Sequence, residues 1–159
     1  MKYQITQKII AIGDDFSIAD ENGRQQYFVD GYGFSFGKKL SFQDNNKNQL
    51  LLIKKSLFTF MPKFNIFKNG TLYATVRKKW LTFRPSFVIE DRQNKDIITI
   101  TGRIFDYEYD FYRKGQPIAQ ASKKWFRISD TYAVDLKGKA EPTLILSAAI
   151  IVDLILHNK

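Results

Sequence analysis

The chain has 159 residues and a mass of 18.6 kDa, the size of one ordinary domain, and it is 44% hydrophobic with only 4 Pro and 9 Gly, which excludes a disordered polypeptide. Lys and Arg number 25 against 16 Asp and Glu, a formal charge of +9 that favours anionic partners, whether lipid headgroups, nucleic acid or an acidic protein. The absence of cysteine excludes disulfides and thiolate metal sites and is compatible with a reducing cytosol.

The first residues, MKYQITQKII, alternate like a strand and lack the apolar core of a signal peptide. Turn signals then arrive at regular spacing: Glu21-Asn22-Gly23, the polar run 44–48, Lys68-Asn69-Gly70, the run 91–95, Arg113-Lys114-Gly115 and Lys137-Gly138. Asn22-Gly23 and Asn69-Gly70 are type I′ hairpin signals, because both central positions of that turn need positive φ. Between the turns the hydrophobic period is two, as in Leu72, Ala74 and Val76 against Thr71, Thr75 and Arg77. The pattern predicts about twelve strands, near 3–11, 16–20, 25–30, 39–43, 49–54, 63–68, 71–78, 86–91, 96–102, 108–113, 116–124 and 131–135. The 14 Phe and 8 Tyr suit strands that fill a wide interior.

An internal echo supports the hairpins. Phe64 to Leu81, FNIFKNGTLYATVRKKWL, matches Tyr109 to Phe126, YDFYRKGQPIAQASKKWF, at a shift of 45. Gly70 aligns with Gly115, Ala74 with Ala119, Lys78-Lys79 with Lys123-Lys124, and Trp80 with Trp125. Antiparallel strands without intervening helices favour closure into a barrel, which removes exposed edges.

The end of the chain changes character. From Thr143 to Leu156 the sequence reads TLILSAAIIVDLIL, interrupted only by Thr143, Ser147 and Asp153. A helix apolar nearly all round must be surrounded. At about 14 residues, or about 21 Å as a helix, it is short of the roughly 20 residues that a membrane span needs, and Asp153 is a further cost in lipid. Pro142 suits a first helical turn, Glu141 its positive end, and His157 and Lys159 its negative end. A twelve-strand barrel is too wide to fill with its own side chains, so this helix is its plug. The fold expected is a closed antiparallel β-barrel of about twelve strands enclosing a C-terminal hydrophobic α-helix at about 143–157, one domain over residues 1–159. The expected location is cytoplasmic, peripheral at the inner membrane surface if the chain meets lipid, and not transmembrane.

This pattern resembles the tubby C-terminal-like superfamily, and within it is most similar to the LURP-one-related proteins and their small bacterial homologues. The carriers are QKIIAIGDDFSIADENGRQQYFVDG at 7–31, the hairpin around Lys68-Asn69-Gly70, the segment from Ser129 to Val134, and the final LILSAAIIVDLIL. The resemblance implies the barrel and its central helix. It implies lipid association more loosely, through tubby proteins and phospholipid scramblases, which associate with phosphoinositides or membranes.

Catalytic chemistry has thin support. His157 lies four residues after Asp153, on the same helical face, where a local ion pair or a wet helix end outweighs a catalytic pair. Asp153 itself is expected near water. No metal site, cofactor or phosphate loop is expected. The basic pairs Lys38-Lys39, Lys54-Lys55, Lys78-Lys79 and Lys123-Lys124 recur at strand ends. Arg77, Lys78, Lys79, Lys123, Lys124 and Arg127 are therefore the candidates for an anion- or lipid-binding surface, to which Trp80, Leu81, Phe83, Trp125 and Phe126 add an interfacial aromatic component. The opposing expectation is that both tryptophans pack in the core and the lysines solvate strand ends. The segment Leu57-Phe58-Thr59-Phe60-Met61-Pro62 is either buried core or an exposed loop that meets a bilayer or a partner. The reading is thus a non-enzymatic barrel that associates with anionic lipid headgroups or an acidic partner. Its alternatives are a protein-interaction scaffold without lipid affinity, a nucleic-acid binder and a hydrolase with an unrecognised site.

Overall fold

The computed structural model describes residues 1–10, 13–31, 38–80, 83–124 and 130–157. Among the described residues twelve strands precede one α-helix, with a single 3-10 turn at Ile104–Asp106 between β9 and β10: β1 Lys2–Ile10, β2 Gly13–Asp20, β3 Gln25–Gly31, β4 Lys39–Asp44, β5 Gln49–Lys55, β6 Lys63–Lys68, β7 Thr71–Lys78, β8 Phe87–Asp91, β9 Asp96–Arg103, β10 Glu108–Arg113, β11 Gln116–Ser122, β12 Thr131–Leu136 and α1 Pro142–His157. Each strand pairs antiparallel with its sequence neighbours, and β12 closes on β1. The closed ladder leaves no strand edge unpaired.

Alternation sets which side chains face inward. Around the ring, Phe64 lies opposite Val76, Val76 opposite Ile89, and Ile89 opposite Ile98. All four are buried. Into this lining runs α1, whose eleven consecutive residues from Leu144 to Leu154 are buried. Burial on every side of a helix means that the barrel surrounds it. Small Ser147, Ala148 and Ala149 let large aromatics such as Phe16, Phe42, Phe64 and Phe111 fill the same interior.

The two ends of the barrel are built differently. At one end the connections are tight turns. Asn69 and Gly70 take φ of 50° and 75°, and Lys114 and Gly115 take 50° and 74°, so both hairpins of the internal echo carry type I′ geometry. Their ladders also shift register at equivalent places, Ile66/Phe67 and Phe111/Tyr112. Asn22-Gly23 departs from the I′ expectation: only Gly23 has positive φ. There the Asp20 carboxylate accepts the backbone N–H groups of Asn22 and Arg24 at 2.9 and 3.0 Å, which stabilises a wider turn. Asp44 works the same way on Asn46 and Asn48, and Asp91 on Gln93 and Asn94. Buried Asp91 also accepts from Arg113 of β10 at 3.0 Å.

At the other end lie the longer connections 56–62, 79–86 and 123–130, together with the four-residue 104–107. Because β12 runs toward the tight-turn end, α1 starts there and its C-terminus emerges among the long connections. Among the described residues no helix is long and apolar enough to cross a membrane.

Candidate functional site

Antiparallel order places every odd strand's end and every even strand's start on the long-connection rim. All four basic pairs fall there. Lys38-Lys39 opens β4, Lys54-Lys55 closes β5, Lys78-Lys79 closes β7 and Lys123-Lys124 follows β11. Lys63 opens β6 and lies opposite Arg77 in the ladder. The strand ends bring these pairs to one rim for a geometric reason: the aromatic-strand, turn, strand, Lys-Lys unit returns the chain to the same end each time.

The sequence candidates divide into two groups on that rim. Arg77, Lys78 and Lys79 lie together beside Lys63. The Arg77 Nε donates to Glu90 of β8 at 3.0 Å. Lys55, Lys63, Lys78 and Lys79 form no ion pair among the described residues. Lys123 and Lys124 sit four strands further round, with β8, β9 and β10 intervening. The Lys123 ammonium lies 4.6 Å from the Tyr107 ring centroid, and the Lys124 ammonium lies 3.9 Å from Glu108. The echo therefore shares an end of the barrel rather than one side of it. Arg127, with Trp125 and Phe126, lies outside the described residues.

Charge is unevenly distributed along the chain. Residues 38–89, from the start of β4 to the middle of β8, contain eleven Lys and Arg and a single carboxylate, Asp44; the acidic Glu90 and Asp91 then close β8. Asp44 belongs to a turn at the opposite end, where hydrogen bonds from Asn48 hold its pKa below the ordinary value. The remaining residues are close to neutral, with fourteen basic and fifteen acidic side chains. A running charge count along the sequence carries this signal, and it points to the β4–β8 sector more sharply than the repeated lysine pairs do.

The same sector exposes large apolar side chains. Phe58 and Phe83 are each 101% exposed, Phe60 79% and Trp80 61%. Phe58 and Phe60 belong to the β5–β6 connection, Trp80 and Phe83 to the β7–β8 connection. These connections are neighbours: Lys78 N–H donates to Pro62 O at 3.1 Å, and the Phe60 and Trp80 rings lie 4.8 Å apart. The expectation of a core-packed Trp80 is corrected here. β7 ends at Lys78, so the strand alternation that would have turned Trp80 inward no longer applies. Leu81 lies outside the described residues.

The emerging end of α1 carries a second cluster. Asp153 is only 4% exposed, so the expectation that it reaches water is also corrected. The Tyr107 hydroxyl donates to its carboxylate. Tyr109 and Tyr132 are buried close by, and their hydroxyls find no protein partner among the described residues. Burial first, and then Asp153, through its hydrogen bond and charge at Tyr107 and through its charge at Tyr109 and Tyr132, push all three phenols above their ordinary pKa. The Tyr107 ring stacks on His157 at 4.5 Å, so the histidine is a lid on this cluster's aromatic face. Among the described residues no three His, Asp or Glu side chains group as metal ligands. Tyr107 went unnoticed in the sequence; the signal for it was the need of a carboxylate in an apolar run for a donor.

Comparison with known proteins agrees with this architecture. The LURP-one-related family profile matches residues 1–153. An uncharacterised Bacillus subtilis protein, YxjI, is 26% identical over 152 residues, covering 96% of this chain and 91% of its own. An X-ray structure of an Arabidopsis thaliana protein superposes with a TM-score of 0.70 at 17% identity, covering 96% of this chain and 90% of that one. Its fold is shared. With the profile spanning all twelve strands and most of the central helix, the chain belongs to the LURP-one-related family.

Proposed function

We propose that this chain is a non-enzymatic module that docks by its long-connection rim on an anionic membrane surface, at the cytoplasmic face. The observation that carries the reading is the convergence of four lysine pairs on one end of a barrel whose charge excess lies in residues 38–89. Arg77, Lys78 and Lys79 form the centre of the contact with Lys54, Lys55 and Lys63, and Lys123 and Lys124 add positive charge further round the same rim. Each lysine near an anionic surface contributes about 1 kcal/mol. Four of them give about 4 kcal/mol, or about a thousandfold in affinity. That suffices for reversible docking without a covalent anchor.

Co-sedimentation with phosphatidylcholine vesicles, with and without phosphatidylglycerol, tests the reading. Binding is expected only with the anionic lipid, and it weakens as salt shortens the screening length to about 8 Å at physiological ionic strength. Equal absence of binding to both vesicle types at low salt would remove the proposal. Preferential salt-dependent binding to a single-stranded oligonucleotide would replace it with nucleic-acid recognition.

A further inference from the structure

Beyond electrostatic docking, and resting on that reading, we infer that Phe58 and Phe60 of the β5–β6 connection and Trp80 and Phe83 of the β7–β8 connection insert their side chains into the bilayer, with the surrounding lysines as a collar at headgroup level. Large aromatics are ordinarily the first residues a fold buries. Here four of them stand exposed on two adjacent connections. Phe58 is further marked by its backbone. Its φ of 59° is a left-handed conformation that bulky side chains rarely adopt, and its ring gains no burial in return. A position that accepts such strain while exposing an aromatic ring is built for a contact outside the chain.

The chemistry of the surroundings selects the occupant. Lys54 and Lys55 precede the first connection and Lys63 follows it. Lys78 precedes the second, and Lys79 and Arg84 lie within it. An apolar tip inside a basic collar matches a membrane interface, where acyl chains lie just beneath anionic headgroups. Trp80, half-covered by Phe60, suits the boundary itself, where an amphipathic indole sits at headgroup depth. A second copy of this chain fits poorly, because two such collars would meet with like charge. A base-stacking surface would present aromatic faces along a groove, whereas Phe58 and Phe83 are fully exposed tips.

The test uses the full chain. With Trp125→Phe, Trp80 is the one remaining tryptophan. On phosphatidylcholine–phosphatidylglycerol vesicles its emission is expected to shift to the blue and to be quenched by bromine-labelled acyl chains. Separately, in the otherwise native chain, Phe58→Ser with Phe83→Ser is expected to lower vesicle affinity at least tenfold at physiological salt while leaving the melting transition in place. If the chain binds these vesicles but Trp80 is unquenched and the double variant binds equally well, insertion is overturned and electrostatic docking stands. Failure of the native chain to bind anionic vesicles overturns both. A dimer, or an oligonucleotide complex, that the double variant abolishes while vesicle binding survives would assign these side chains to that partner and overturn insertion.

Discussion

The left-handed backbone of Tyr107, φ 55° and ψ 39°, costs about 1–3 kcal/mol, and the contacts of its side chain offset that cost. Its hydroxyl satisfies Asp153, its ring stacks on His157 and leans on Tyr132 at 5.1 Å, and the Lys123 ammonium lies over it. A hydrogen bond to a buried charged group contributes about 1.5–3 kcal/mol. Tyr107→Phe is therefore expected to lose that much stability in chemical denaturation, leaving the fold intact. A pH signature accompanies it. Unfolded tyrosine ionises near pH 10, while the folded phenols at 107, 109 and 132 ionise above that. Below about pH 10 both states are protonated, so this contribution is fully present; above it the unfolded state releases protons first and stability falls. Thermal melts across neutral to strongly alkaline pH should show that decline, shallower in Tyr107→Phe. At this scale the sequence exposed the problem but not its solution. Asp153 was visibly anomalous in its apolar run, but the donor lies 46 residues away on a connection whose conformation no local pattern specifies.

Strands, turns and the helix were largely legible, because each is dictated by local chemistry. The period of two located all twelve strands, and the all-round apolar run located α1 to within a residue at each end. The shift-45 echo was real in the backbone as well, down to matching turns and register shifts. The Asn22-Gly23 turn was less so, since Asp20 outcompetes the dipeptide by offering its carboxylate to two N–H groups. The helix is the element on which the rest depends. Leu144, Ile145, Leu146, Ile150, Ile151, Val152 and Leu154 are all buried by the barrel. At about 1.5–3 kcal/mol each, they contribute about 10–20 kcal/mol, comparable to or larger than the whole net stability of an ordinary domain. Truncation after Lys139 is accordingly expected to abolish the cooperative transition in calorimetry. A truncated chain that melted like the native one would mean that the barrel fills itself.

The two ends of the barrel use their charged side chains differently. One rim spends carboxylates on its turns, as Asp20, Asp44 and Asp91 do, and the other collects basic strand ends and exposed aromatics. Repetition of lysine pairs hinted at this arrangement, but strand parity decides which end each pair reaches, and parity needs the closed topology. The central claim is that this rim, rather than net charge, meets the membrane. Two variants with the same charge loss separate those possibilities: Lys55, Lys63, Lys78 and Lys79→Gln on the long-connection rim, and Lys47, Lys114, Lys137 and Lys139→Gln at the tight-turn end. In vesicle co-sedimentation with phosphatidylglycerol, the first variant is predicted to lose at least tenfold in affinity, up to about a thousandfold at about 1 kcal/mol per lysine, while the second stays within about twofold of the native chain. Equal losses in the two variants, or no loss in the first, would contradict the account.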